Sequence, residues 1–153
     1  MYNSKKLKIT IPAYKNGEVI PKKYTCDGEN INPKIIINNA PKSADTFVLI
    51  FDDPDAPNNT FTHWVVFNIP AQTNIILENT IPGIEGENDF KKTNYSGPCP
   101  PSGTHRYYFH LYAIQGKLLF KEGASRKEIE KKMQDKIIES ASYMGKYERI
   151  NER

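Results

Sequence analysis

Apolar residues in this chain come in short runs cut by proline and glycine. Eleven prolines and nine glycines are spread over 153 residues. Proline fixes φ and removes a backbone donor, so it is barred from helix interiors and from the middle of a sheet. Short runs rich in Val, Ile, Phe and Tyr between such breakers read as β-strands. Five are legible, at residues 7–11, 34–37, 46–51, 63–69 and 106–114. In the third, Phe47, Leu49 and Phe51 alternate with Val48 and Ile50, so both faces are apolar and the strand should be central, covered on both sides. In the fourth, strict alternation puts His63, Val65, Phe67 and Ile69 on one face and Trp64 and Val66 on the other. Strands joined without intervening helices imply a mainly β fold, an antiparallel β-sandwich, in a single domain spanning 1–153. The one clear helix signal comes late. Ser125 with Glu128 forms a capping box, and Ile129, Met133 and Ile137 make an apolar stripe, so a C-terminal helix is expected around 125–141. A polar tail from 145 follows it.

Charge and hydropathy narrow the function classes. The net charge of +3 is mild and dispersed, which argues against a nucleic-acid partner. No run of about 18 apolar residues is present, so integral membrane insertion is not expected. The lysines near the start are not followed by an apolar signal core, which points to a cytoplasmic protein. In that compartment Cys26 and Cys99 are expected as free thiols, and two cysteines at that separation are no zinc pattern.

Two proline-braced stretches carry most of the chemistry-bearing residues. In "DDPDAPNNTFTHW", Asp53 leaves the third strand on the face of Phe47 and Leu49, and Asp55 follows two residues on. A "DPD" turn is also how aspartates accept from their own backbone. In "PCPPSGTHRYYF", three prolines and Gly103 stiffen a loop that ends on His105. Such a loop can offer the N–H groups of Ser102, Gly103 and Thr104 to an anion. His63 and His105 each open a strand, where loops gather and sites form. Tyr107 shares the face of His105. Arg106 and His110 lie an odd number of positions from it and face the other side, Arg106 as a structural ion pair. A metal set of two Asp and two His lacks any closely spaced ligand pair. Ser96 and Ser102 stand outside a nucleophile elbow, and Cys99 is the one candidate for covalent chemistry. No cofactor is implied.

These two motifs, with "HWVVFNIP", the upstream "YTCDGENINP" and the "NDF" at 88–90, resemble the phosphatidylethanolamine-binding protein family, in particular its short bacterial and archaeal branch related to the Raf kinase inhibitor proteins. The likeness runs from about residue 7 to about 138. It implies a β-sandwich with little helix and a small cavity that takes phosphate- or carboxylate-bearing anions. Carried over by motif, the ligand-binding residues are Asp53, Asp55, His63, Pro100, Gly103, His105 and Tyr107. Phe61 stands where relatives carry an aromatic residue two places before the histidine. The resemblance thus implies a small-anion-binding protein; in such a site Asp53 and Asp55 are expected to orient the imidazoles and raise their pKa, since a nearby carboxylate favours the charged ring. Regulation of a partner kinase or protease, a homodimer, and a hydrolase or lyase using the same Asp/His pocket are the further readings it leaves open.

Overall fold

The computed structural model describes residues 5–149. Eight strands and one α-helix follow in the order β1 (Lys8–Thr10), β2 (Ile35–Asn38), β3 (Thr46–Asp53), β4 (Phe61–Pro70), β5 (Ile75–Ile76), β6 (Ile84–Glu85), β7 (His105–Ile114), α1 (Arg126–Met133) and β8 (Ile137–Tyr147), with a single 3-10 turn at Lys22–Tyr24 between β1 and β2. All the pairings are antiparallel, in a three-stranded sheet ordered β1-β2-β5 and a five-stranded sheet ordered β6-β4-β3-β7-β8. The apolar alternation of β3 lands as expected. Phe47, Leu49 and Phe51 enter the core between the sheets, while Val48 and Ile50 enter a second core under α1, with Ile129 and Met133. No helix among the described residues is long and apolar enough to cross a membrane.

Three expectations are corrected. The capping box forms, with Ser125 accepting the Glu128 N–H, but α1 ends at Met133. Ile137 is instead the first residue of β8, which pairs with β7 from Ile114 back to His105. The expected helix to 141 therefore gives way to an edge strand, and the tail from 145, expected to be polar, buries Tyr147. A long ladder of backbone hydrogen bonds, with three inward residues at period two, outweighs one more helical turn of weak propensity.

The second correction concerns β4. Phe51 pairs with Trp64 but its neighbour Asp52 pairs with Thr62, so His63 is the extra residue of a β-bulge. A second irregularity lies opposite Val48, where Asn68 adopts φ 56°. Bulges break the period of two. His63 thus turns to the side of Trp64 and Val66, and Ile69 joins the same core, while Val65 and Phe67 face α1.

The third is covalent. Cys26 and Cys99 are joined in a disulfide across a separation of 73 residues. The free-thiol expectation rested on a reducing compartment, and the loop sequences alone gave no sign that Cys26 and Cys99 meet.

Candidate functional site

The end of β3, the bulge of β4, the start of β7 and the loop before it converge at one end of the sandwich. Asp53 is at the end of β3. One carboxylate oxygen, Oδ1, accepts the Asp55 N–H at 2.8 Å, and Oδ2 accepts from His105 Nδ1 at 2.6 Å. The first bond is the Asx turn that "DPD" suggests, and it fixes the carboxylate for the second. With Nδ1 given to Asp53, His105 has only Nε2 left for a ligand. His63 is held the same way by a different partner. Its Nδ1–H donates to the Ser96 carbonyl at 2.7 Å. Among the described residues, no group hydrogen-bonds to Nε2 of either ring.

Tyr107 lies between the two histidines, 5.4 Å from His63 and 6.3 Å from His105 by ring centroid. Its hydroxyl is buried and has no hydrogen-bond partner among the described residues. Asp53 and the Cys99 N–H flank it without meeting it in good geometry, and burial, followed by the charge of Asp53, pushes its pKa up. A buried polar group left unpaired costs about 1–3 kcal/mol, so natural structures usually supply it with a partner. Phe51 underlies the group, stacked on Phe109 at 4.0 Å and on Tyr95 at 5.6 Å.

Asp55 goes elsewhere. It accepts from the Arg106 backbone N–H and from the Nε and Nη2 groups of its guanidinium at 2.8–2.9 Å. That bidentate pairing, more than any other cause, lowers the Asp55 pKa to about 2. Asp55 thus braces the turn that follows β3, and Arg106 is the structural partner its position indicates. His110 faces the opposite side, 3.1 Å from Asp52, whose other oxygen pairs with Arg126 at 2.8 Å.

The loop is anchored at its start. Gly97 donates to Asn30 Oδ1 at 2.7 Å, the Pro98 carbonyl accepts from Cys26, and Cys99 carries the disulfide. Pro100 is buried beneath it, and Gly103 takes φ +67° at the exposed turn into β7. The N–H groups of Ser102, Gly103 and Thr104 donate to no described residue.

Sequence reading gave no role to the 88–90 turn. Asn88, 2% exposed, donates to the His63 carbonyl and accepts from Phe90 and Lys92. Asp89 clamps Thr62 from both sides of its peptide. The turn thereby holds the bulge and sets Phe90 5.6 Å from His63, with Phe61 at 5.2 Å. The "NDF" string was the available signal, since a buried Asn can satisfy several backbone groups at once. The group is nearly closed: Asp53, His63, His105 and Tyr107 are 3%, 4%, 8% and 0% exposed. The hollows of about 450 and 540 Å³ lie elsewhere on the surface.

The family model for phosphatidylethanolamine-binding protein matches residues 10–148. A UPF0098 protein of Aquifex aeolicus is 49% identical over 146 residues, covering 90% of this chain and 85% of its own. One of Pyrococcus horikoshii is 45% identical, covering 88% and 73%. Among solved structures, a phosphatidylethanolamine-binding protein homologue of Chlamydia trachomatis superposes with a TM-score of 0.92 at 34% identity, over 95% of this chain and 99% of that one. Escherichia coli YbcL, described as a member of the mammalian family, gives 0.89 at 26% identity, over 95% and 100%. The chain belongs to the phosphatidylethanolamine-binding protein family.

Proposed function

We propose that the Asp53–His105–Tyr107–His63 group recognises a small ligand through a phosphate, phosphoester or carboxylate group, without turnover. The observation that carries this reading is the buried, unpartnered Tyr107 hydroxyl between two imidazoles whose Nε2 atoms have no described partner. An anion oxygen at this point would accept from Tyr107 and from a protonated Nε2, with the free N–H groups of the 102–104 turn sharing charge. Burial holds the His63 pKa below its ordinary value. The charge of Asp53 acts to raise it, as expected of a nearby carboxylate, but desolvation of the ring is the larger effect. His63 is therefore neutral near pH 7, where its Nε2 accepts from a ligand O–H, as a singly protonated phosphate provides.

Near-closure of the group limits contact to the outward edges of the rings, with Phe61 and Phe90 at the rim. The hydrolase or lyase reading is weaker here, because the sulfur of Cys99 is bound in the disulfide and supplies no thiolate.

Titration with inorganic phosphate, followed through the His63 and His105 ring resonances, tests the proposal. Saturable shifts are expected for both rings, with affinity weakened roughly tenfold in His105→Gln, about the strength of one charge-assisted hydrogen bond. The absence of a saturable shift at either ring, in a protein that remains folded, would end it.

A further inference from the structure

Apart from the anion site, the described surface holds a hollow with an unusual charge arrangement. It measures about 450 Å³ and opens beside the two-residue edge strand β6; Ile31, Trp64, Ile81 and Tyr95 supply its apolar wall, Glu85 its charge, and four asparagines with Thr80 the rest of its lining. That volume lies in the range of small-molecule sites, which join apolar walls to a few convergent polar groups. Glu85 is only 6% exposed. Its Oε2 accepts the Trp64 indole N–H at 2.7 Å. No Lys, Arg or His among the described residues forms a salt bridge with it, and the hollow's lining contains one acid and no base. Burial pushes its pKa upward, and the charge of another acid, Glu122, acts in the same direction.

A carboxylate removed from water without a counter-cation is unstable unless it stays protonated or something positive reaches it. Among the described residues no Lys or Arg pairs with this acid or lines the hollow, which leaves the position open to a cation from outside. We infer that the hollow is a binding site for a small organic ammonium compound, its charged nitrogen on Glu85 Oε1 and its apolar part against Ile31, Ile81 and Tyr95. This assignment is independent of the anion site: Glu85 is on β6, outside the group formed by Asp53, His63, His105 and Tyr107.

The molecule carries its own reporter, since Trp64 is the one tryptophan of the chain and its N–H is bonded to the proposed anchor. n-Butylammonium, n-butanol and butyrate, matched in size and differing in charge, would be titrated at constant ionic strength and neutral pH. The Trp64 indole N–H resonance should shift saturably with n-butylammonium alone. Glu85→Gln, which keeps an acceptor for Trp64 but removes the charge, should weaken that binding at least tenfold and leave the phosphate response of His63 and His105 unchanged. An equal response to n-butanol marks mere apolar filling and overturns the inference, as does no saturable shift or undiminished binding in Glu85→Gln. The three-ligand comparison on the unmodified protein decides the matter even where the variant fails to fold.

Discussion

His63 shows how one residue can be legible in kind and illegible in direction. Its type and its place at a strand mouth marked it as a site residue, but alternation along β4 would have placed it with Val65 and Phe67. The bulge that reverses this depends on the Asn88–Asp89 clamp and on pairing with β3, neither of which is local in sequence. Asp55 shows the opposite failure. Its spacing from Asp53 was correct, but the guanidinium that claims it lies 51 positions away. Burial depresses the His63 pKa from the ordinary value near 6.5. The unfolded chain then binds the proton more readily than the folded one, so this residue makes stability fall as pH drops below about 6.5 toward the depressed value. Urea midpoints between pH 7.5 and 5 for the protein and for His63→Gln should converge as pH falls; parallel curves would remove the linkage. Phosphate binding should respond in the reverse sense, tightening over the same window as the ring gains a proton that the anion stabilises.

At the scale of elements, the strands with strong apolar alternation were readable and the weak edge strand was not. β3 and β7 are buried by neighbours on each side, so their side chains show the period openly. β8 is paired along its length with β7, its other edge meeting the 17–20 segment at Met144 and Lys146, and no residue in it before Tyr143 is buried. Its strand character resides in Tyr143, Gly145 and Tyr147, three inward positions, of which Gly145 has no side chain to reveal the pattern. The preceding capping box then invited an extension of the helix that the turn at Gln134–Lys136 ends. Gly145 has a packing reason of its own. A Cβ there would lie 2.4 Å from Ile20 Cγ1 and 2.5 Å from Tyr14 Cε2. Around it, Ile20 and Tyr143 tie the 11–20 segment to β8: the Tyr143 hydroxyl donates to the carbonyls of Ile11 and Tyr14, and Ile20 donates to Lys146. Gly145→Ala should therefore cost about 1–3 kcal/mol, the range for overpacking a filled core, measurable as a lower urea midpoint. A neutral result would show that the 11–20 segment moves aside without loss.

For the whole molecule, the decisive contact is the one between the two proline-rich halves. The sandwich brings the ends of β3, β4 and β7 together through sheet pairing alone. The loop that carries Cys99 has no strand of its own to hold it. It depends on Cys26, on the Gly97 bond to Asn30 and on the Pro98 bond to the Cys26 N–H, all reaching into the 24–30 turn. That turn was legible only as part of a family likeness, because nothing in the spacing of two cysteines names a partner across 73 residues. Closing a loop of this size restricts the unfolded chain by about 4 kcal/mol on the chain-entropy account. The Cys26→Ser/Cys99→Ser variant should lose much of that, with a Tm lower by roughly 10 °C for a chain of this length. The same change frees the backbone beside the Tyr107 hydroxyl, so phosphate affinity should fall even at temperatures where the variant is fully folded. A variant that loses Tm but binds phosphate as before would show that the disulfide acts on the unfolded chain alone, and that β3, β4 and β7 shape the site without help from the loop.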